Sequence, residues 1–376
     1  MTTVGATSST PRPQPPLTMI AHSEEGGDVI GNEHGFFTVH NAGGINTFTN
    51  AGEHVGTSTA LANSYHSTVG NCQVFVVNNG DDVPNILVYS RNTIAPQGVV
   101  DERSEYFVTL YNGRSFTQIW RQKLYETSGF DQTSCGLKPS WNITEDTRWA
   151  VINGMSMTRP GEGAMYIVDT ASGSSKVIEQ ASAAAAGNFI ITESYTNDIS
   201  VLDPSTLAPI RTAAYTNGGS TDYSNLGSIV GNGINTAFDA TRVVMTSTTT
   251  FSVLDVRTGA VSSSAIDHDG NSYRYAIDAP SNSAYVTTDD GIAALDLATM
   301  QQKWSAPARF SSFCGASRDQ VLVTTQRQDA LLSAKDGSQI TYSDELNQCG
   351  AIFGDYMVLS TFTDGTSVYQ AFGGKP

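Results

Sequence analysis

The stretch YRYAIDAPSNSAYVTTDDGIAALDLATMQQKWSA, residues 273–306, contains four short runs of β-branched, aromatic and small apolar residues separated by polar clusters. YRYAID (273–278), AYVTT (284–288), IAALDL (292–297) and QQKWSA (301–306) have the length of ordinary strands, and the residues between them are turn formers. The spacing predicts a four-stranded antiparallel meander with Tyr273–Asp278 innermost. Asp296 closes the third run, where a carboxylate can accept N–H groups of the turn that follows.

The second half of this unit recurs along the chain. It appears as YIVDTASGSSKVI from Tyr166, SVLDPSTLAPI from Ser200, SVLDVRTGAV from Ser252, AALDLATMQQKW from Ala293 and LLSAKDGSQI from Leu331. The anchors Asp169, Asp203, Asp255, Asp296 and Ser333 are 34, 52, 41 and 37 residues apart. Weaker copies, FVTLYNGRSFTQIW and SVYQAFGG, are anchored at Thr109 and Gln370. Several strands per step of this size are the mark of an all-β propeller rather than a sandwich. Gly173, Gly259 and Gly337 are placed to supply the positive φ of the turns, so these Asp and Gly residues read as structural punctuation. Seven anchors predict seven blades. Too few residues follow Gln370 for an outer strand, so GFFTVHN (35–41) is expected to close the ring and remove a free edge. Eight blades is the alternative, if residues 28–60 form a blade of their own. Residues 1–27 then form a linker, and residues 28–376 a single propeller domain.

AALDLATMQQKW resembles the Ala-x-Asp-x-x-Thr-Gly-x-x-x-Trp phrase of quinoprotein-like (PQQ-like) propeller repeats, with Met300 where Gly is usual. SVLDVRTGAV keeps the Asp255, Thr258 and Gly259 part. The resemblance spans most of residues 100–376 and implies the fold. Quinone-dependent dehydrogenases of that superfamily are much longer and carry an adjacent Cys-Cys pair beside the cofactor. No two cysteines are adjacent here, which argues against a quinone.

Of the 376 residues 15% are charged, with 36 acids against 20 bases and a net charge of -16. A nucleic-acid partner is disfavoured, because phosphate binding needs a basic surface. No apolar run reaches the roughly 18 residues of a membrane span. Met1–Pro16 is Thr/Ser/Pro-rich and ends in PRPQPP, an extended linker of the kind found between a membrane anchor or signal segment and a folded ectodomain. An ordinary N-terminal tail is the alternative.

Cys72, Cys135, Cys314 and Cys349 permit three disulfide pairings. All four fall at or just before an expected inner strand, and the inner strands of neighbouring blades converge near the axis. Cys72–Cys135 and Cys314–Cys349 are the expected pairs, and they would place the protein in an oxidising, extracytoplasmic compartment. Four reduced thiols in a cytosolic propeller is the competing reading.

No nucleophile elbow, phosphate loop or zinc spacing is present. Histidines cluster early (His22, His34, His40, His54, His66) without a fixed ligand spacing. DHDGNSYRYAID sets Asp267, Asp269, Asn271 and Asp278 in partial likeness to a calcium loop, but Gly270 is misplaced for an EF-hand. Asn142-Ile143-Thr144 is a lone glycosylation sequon. The connections entering inner strands, and those joining second to third strands, share one end of a propeller and are rich in aromatic residues. Tyr65, His66, Trp141, Tyr195, Tyr223, His268, Tyr273 and Arg309 are the candidate ligand-binding set there, with Tyr125 among the neighbouring aromatics. Tyr and Trp combine apolar area with a polar tip and suit sugars, amphiphiles or proteins.

The expectation is a monomeric, non-catalytic extracytoplasmic propeller without cofactor, membrane-associated through a segment outside this sequence. It would bind a membrane protein or a glycolipid-type amphiphile, such as a trehalose-mycolate-type glycolipid, in envelope assembly or transport. In size and layout it is similar to propeller ectodomains attending glycolipid export in mycolate-bearing bacteria and to propeller scaffolds of outer-membrane protein assembly. A propeller lyase, glycosidase or lactonase with a metal-assisted axial site is the alternative.

Overall fold

In a computed structural model, residues 273–306 fold much as their spacing predicts. The four strands pair in sequence order, and Asp296 sits at the end of the third. The structure describes residues 18–23, 27–32, 35–40, 45–49, 53–58, 71–94, 103–128, 136–139, 142–144, 146–153, 164–178, 182–193, 198–214, 242–246, 250–255, 258–265, 275–278, 281–288, 291–307, 312–317, 320–324, 329–343, 348–353, 356–363 and 366–373.

In chain order, β1 (Thr18–Ser23) is followed by β2 (Gly27–Asn32), β3 (Gly35–His40), β4 (Ile45–Thr49) and β5 (His54–Ser58), which form sheet 1. Sheet 2 is β6 (Asn71–Val77), β7 (Asn85–Ile94), β8 (Arg103–Tyr111) and β9 (Gln118–Ser128), with β10 (Gly136–Pro139) added inside β6. Sheet 3 is β11 (Trp149–Asn153), β12 (Met165–Asp169) and β13 (Ser175–Ile178). Sheet 4 is β14 (Ser182–Ala186), β15 (Phe189–Glu193), β16 (Asp198–Leu202) and β17 (Pro209–Ala214). Sheet 5 is β18 (Arg242–Thr246), β19 (Thr250–Asp255) and β20 (Val261–Ala265). Sheet 6 is β21 (Tyr275–Asp278), β22 (Ser283–Thr288), β23 (Gly291–Asp296) and β24 (Gln302–Pro307). Sheet 7 is β25 (Ser312–Ser317), β26 (Gln320–Thr324), β27 (Asp329–Ser333) and β28 (Gln339–Ser343). Sheet 8 is β29 (Gln348–Phe353), β30 (Tyr356–Thr363) and β31 (Thr366–Gly373), with β1 as its fourth strand.

The described residues thus form eight sheets, where seven anchors had predicted seven; the alternative of eight, with residues 28–60 as a blade of their own, corresponds to sheet 1. Gly35–His40 pairs with β2 and β4 inside sheet 1 and closes nothing. The N-terminal strand that joins the C-terminal sheet is Thr18–Ser23, from within the expected linker, in register Thr18↔Gly373 to Ser23↔Tyr369. Gln370 lies within β31, opposite Leu359 and His22, and no turn of the repeated kind follows it. Consecutive sheets pack side by side through their inner strands, β21 beside β25, β25 beside β29, β29 beside β2, and β2 beside β6.

The repeated turn works as its composition suggests. The anchor carbonyl accepts the N–H four residues on: Gly173 to Asp169 at 2.8 Å, Leu207 to Asp203, Gly259 to Asp255 and Met300 to Asp296 each at 2.7 Å, and Gly337 to Ser333 at 2.9 Å. The anchor side chain accepts further N–H groups inside the turn, such as Ala298 and Thr299 on Asp296 Oδ1 at 3.0 and 2.9 Å. In sheet 2 the anchor is Asn112, three residues beyond Thr109. Phe116 N–H bonds its carbonyl, and Arg114 and Ser115 N–H groups bond its Oδ1. Thr109 instead lies buried within β8.

These contacts shift the aspartates. At Asp169 burial works to raise the pKa, but hydrogen bonds from Ala171, Ser172 and Arg148 outweigh it and hold the carboxyl below its ordinary value. At Asp203 the Ser205 hydroxyl is the main cause of a lowered value. Asp296 is lowered by the Thr299 and Ala298 N–H groups against the opposing effect of burial. A folded-state pKa below the unfolded value of about 3.9 contributes stability that is complete above that pH and lost as pH falls through the folded value. The thermal midpoint is therefore expected to be flat from about pH 7 to 5 and to fall steeply below about pH 4. A midpoint unchanged down to about pH 2.5 would contradict this.

The core lies between sheets. One cluster joins Phe251 and Val253 of sheet 5 to Tyr275, Val286, Leu295 and Met300 of sheet 6. Another joins Tyr285, Ala294 and Trp304 of sheet 6 to Phe313, Val321 and Leu332 of sheet 7. Sheets 2, 3 and 6 therefore bury both faces. The outer strands β9, β13, β17 and β24 carry Arg121, Lys123, Lys176, Arg211 and Lys303 against a single acid, Glu126. Basic side chains on open edges discourage pairing with other chains.

Candidate functional site

Meander topology puts the connections into inner strands, and those between second and third strands, at one end of the molecule. The tight Asp turns lie at the other. The two ends differ in length of chain. Residues 59–70, 95–102, 129–135, 154–163 and 266–274 link strand ends at the first end and lie outside the described residues, whereas each repeated turn spans only a few residues.

Tyr65, His66, Tyr195, Tyr223, His268, Tyr273 and Arg309 lie outside the described residues. Trp141 is also outside them. Asp267, Asp269 and Asn271 are outside the described residues as well. Asp278 is buried at the far end of β21, opposite Ser283. Among the described residues no group of three His, Cys, Asp or Glu could hold a metal ion.

The sequon is structural. Asn142 is buried and its Oδ1 accepts the Ala185 N–H at 2.6 Å, joining sheets 3 and 4. The Thr144 hydroxyl donates to Asp146 at 2.6 Å and accepts the Trp149 N–H at 2.9 Å.

What the described residues build at the long end is a tyrosine stack. Strands β7, β8 and β9 have 10, 9 and 11 residues, against four to six in sheets 3 to 7. Sheet 2 therefore projects further than those sheets toward the long connections. Tyr89, Tyr106 and Tyr125 stack along the side turned to sheet 3, where Tyr166 of β12 continues the series. Ring centroids are 6.0, 4.3 and 5.2 Å apart, with interplanar angles of 23°, 12° and 12°. The Tyr89 and Tyr125 hydroxyls share a 2.6 Å hydrogen bond. Burial and the neighbouring phenols push the Tyr89 hydroxyl far above its ordinary pKa, so it remains protonated. Register pairs Tyr106 with Tyr125 and sets Glu105, Phe107, Lys123 and Glu126 on the opposite face. There Lys123 bonds Glu105 and Glu126, and Arg121 lies 3.8 Å above the Phe107 ring. Of the stack only Tyr125 stood out in the sequence. Tyr89, Tyr106 and Tyr166 look like ordinary strand aromatics, and only register and the neighbouring sheet bring them together.

The inner end of sheet 2 has a second peculiarity. β10 pairs in parallel with β6, Gly136↔Asn71 to Pro139↔Val74, and lies near β2 and β3 as well. It is the entry to the inner strand of sheet 3, borrowed by the neighbouring sheet before Ile143 bridges to Ala150. The result places an extra strand on the axial side of sheet 2.

No family model matches the chain, and no curated protein matches it. Among solved structures it is similar to BamB from Moraxella catarrhalis, with a TM-score of 0.57 and 14% identity over 96% of this chain and 98% of that one. It is also similar to the computationally designed Ika8 protein, with a TM-score of 0.56 and 11% identity over 95% and 99%. These likenesses, with eight antiparallel meanders arranged in chain order, establish the class of the molecule as an all-β, propeller-type fold.

Proposed function

We propose that this chain is a non-catalytic, extracytoplasmic propeller, membrane-associated through its N-terminal side, that binds a partner protein or a glycolipid-type amphiphile in envelope assembly or transport. The observation that carries the reading is the asymmetry of the two ends. One end is made of short, self-satisfied turns whose aspartates spend their hydrogen bonds locally. The other receives the ends of the long connections, whose sequences carry Tyr and His, and there sheet 2 projects further than sheets 3 to 7. Thr18 pairs with Gly373, so the chain enters β1 and leaves β31 at the turn end. A tether before Thr18 would thus hold the turn end toward the membrane and present the long connections away from it.

The oxidising compartment rests on the disulfides Cys72–Cys135 and Cys314–Cys349. Cys72 lies opposite Leu137, with Cys135 immediately before β10. Cys314 falls in the register shift between Phe313 and Gly315 of β25, and Cys349 in that between Gln348 and Ala351 of β29. The two bulges lie on adjacent inner strands. Bulges re-aim side chains out of the ladder, which suits a cross-link between neighbouring strands. Alkylation followed by intact-mass measurement is expected to add no label before reduction and four after it. Four labels without reductant would remove the compartment argument.

The binding reading is tested by titrating the full chain with vesicles containing a trehalose-based glycolipid and with vesicles lacking it. The unaltered protein and a Tyr65→Ala/His66→Ala variant are compared. Saturable binding that the variant weakens about tenfold supports the amphiphile reading. Equal indifference of both proteins to both vesicles would leave only the protein-partner form. Turnover of glycoside, lactone or uronic-acid polymer substrates with calcium would replace the proposal by the enzyme alternative.

A further inference from the structure

The fifth position of the repeated turn alternates along the chain. It is Phe116, Gly173, Leu207, Gly259, Met300 and Gly337 in sheets 2 to 7, and all six have positive φ, between 54° and 75°. Gly is the residue such a position favours, so Phe, Leu and Met there need a reason.

The seams between sheets supply it. Where the turn has Gly, the outer strand of the preceding sheet fills the space. Trp120 lies against Gly173, where an added Cβ would come 2.9 Å from its ring, and its Nε1–H donates to the Thr170 carbonyl at 3.0 Å. Arg211 lies against Gly259 and donates to the Thr258 carbonyl at 3.0 Å. Trp304 lies against Gly337, where a Cβ would come 2.6 Å from its ring, and donates to the Ala334 carbonyl at 2.8 Å.

Where the turn has a large residue, that residue fills the seam from the other side. Phe116 packs into the cluster between sheets 1 and 2, and its ring edge would lie 3.1 Å from a Cβ on Gly56 of β5. Leu207 packs into the cluster between sheets 3 and 4. Met300, 6% exposed, packs into the cluster between sheets 5 and 6, and the facing outer strand is VSSSA (β20). A given seam is filled once, from one side or the other. Only the fillings by Trp and Arg also hydrogen-bond the neighbouring turn.

We propose that the ring is assembled from pairs of sheets rather than from equivalent blades. Sheets 2–3, 4–5 and 6–7 are stapled by Trp120, Arg211 and Trp304. At their outer strands the seams 1–2, 3–4 and 5–6 between the pairs are held by apolar contact of the turn residue, whereas Asn142–Ala185 and Asp146–Asn188 cross the 3–4 seam and Arg242–Asn282 the 5–6 seam further in, so it is the outer strands at these seams that flex. The sheet 2–3 pair is further joined by the β6–β10 ladder and the tyrosine stack.

Hydrogen exchange on the unaltered full chain tests this without any substitution. The outer strands β13 and β20, which end stapled pairs without reaching across, are expected to exchange at least about tenfold faster than β9, β17 and β24. Equal protection of the five strands would overturn the proposal. A swap of filling side gives an independent test. Gly337→Met and Trp304→Ser are each expected to lower the melting midpoint, and the double variant is expected to melt above Gly337→Met alone. If Gly337→Met does not fold, Met300→Gly, with and without Ser262→Trp, completes the same cycle at the 5–6 seam. Additive losses in the cycle measured would overturn the reciprocal filling.

Discussion

Replacing Gly113 by Ala is expected to destabilise the protein by at least about 3 kcal/mol. A Cβ at this position would lie 1.9 Å from the Pro84 carbonyl oxygen and 3.0 Å from Val83 Cγ1. The obstacle is backbone, not the end of a flexible side chain, so relief requires the connections at 78–84 and 112–117 to part. That movement would strain the Asn112 turn, the Arg114–Asp82 ion pair and the Asn79–Asn85 hydrogen bond together. Gly80→Ala is the control. Gly80 has a φ of 82° but nothing within 4 Å of an added Cβ, so its cost is only the left-handed conformation, about 1–2 kcal/mol. Urea unfolding of the two variants separates contact from conformation. A Gly113→Ala variant no less stable than Gly80→Ala would show that the close approach of these connections is not required.

Trp304→Ala is expected to cost about 3–5 kcal/mol, the range for removing a large buried aromatic side chain. Trp304 is 9% exposed, its ring lies 5.8 Å from that of Tyr285, and its N–H satisfies the Ala334 carbonyl. With an unfolding entropy of about 2.1 cal/mol/K per residue, the loss corresponds to a fall of about 4–6 °C in melting midpoint for a chain of this length. Trp304→Phe keeps much of the apolar area and loses the N–H, so a smaller fall is expected. If Phe and Ala variants melt together, the hydrogen bond rather than the packing carries the seam.

The positions of Phe116, Leu207 and Met300 illustrate a balance of magnitudes. A left-handed non-glycine residue costs about 1–2 kcal/mol, and burying a large apolar side chain contributes about 1.5–3 kcal/mol. Burial outweighs strain only where the facing strand leaves room, as Gly56 and the serines of β20 do. Met300, which breaks the usual Gly of the repeat phrase, is therefore an alternative filling of the seam rather than a degenerate repeat.

Much of the fold was legible locally. The anchor Asp, the glycine four residues on and the flanking strands all act within one turn, where a carboxylate and a carbonyl meet N–H groups close in sequence. Those contacts need no partner elsewhere, so a single sequence can reveal them. The sheet count was not legible in the same way. Sheet 1 turns through Thr49–Glu53, with Thr49 and Glu53 bonded to each other, and lacks the repeated phrase. The true anchor of sheet 2 is an Asn, and sheet 8 takes its fourth strand from the opposite end of the chain.

The candidate site divides along the same line. The aromatic content of the long connections is a property of the sequence. That Tyr89, Tyr106, Tyr125 and Tyr166 form one stack was decided by register within sheet 2 and by the approach of β12. By itself the sequence determined the strands, the turns and the propeller class, because these arise from short-range hydrogen bonding and side-chain alternation. Tertiary structure alone decided the number of sheets, the strand that completes the last one, and which side fills each seam. Each of those depends on groups tens to hundreds of residues apart competing for the same space.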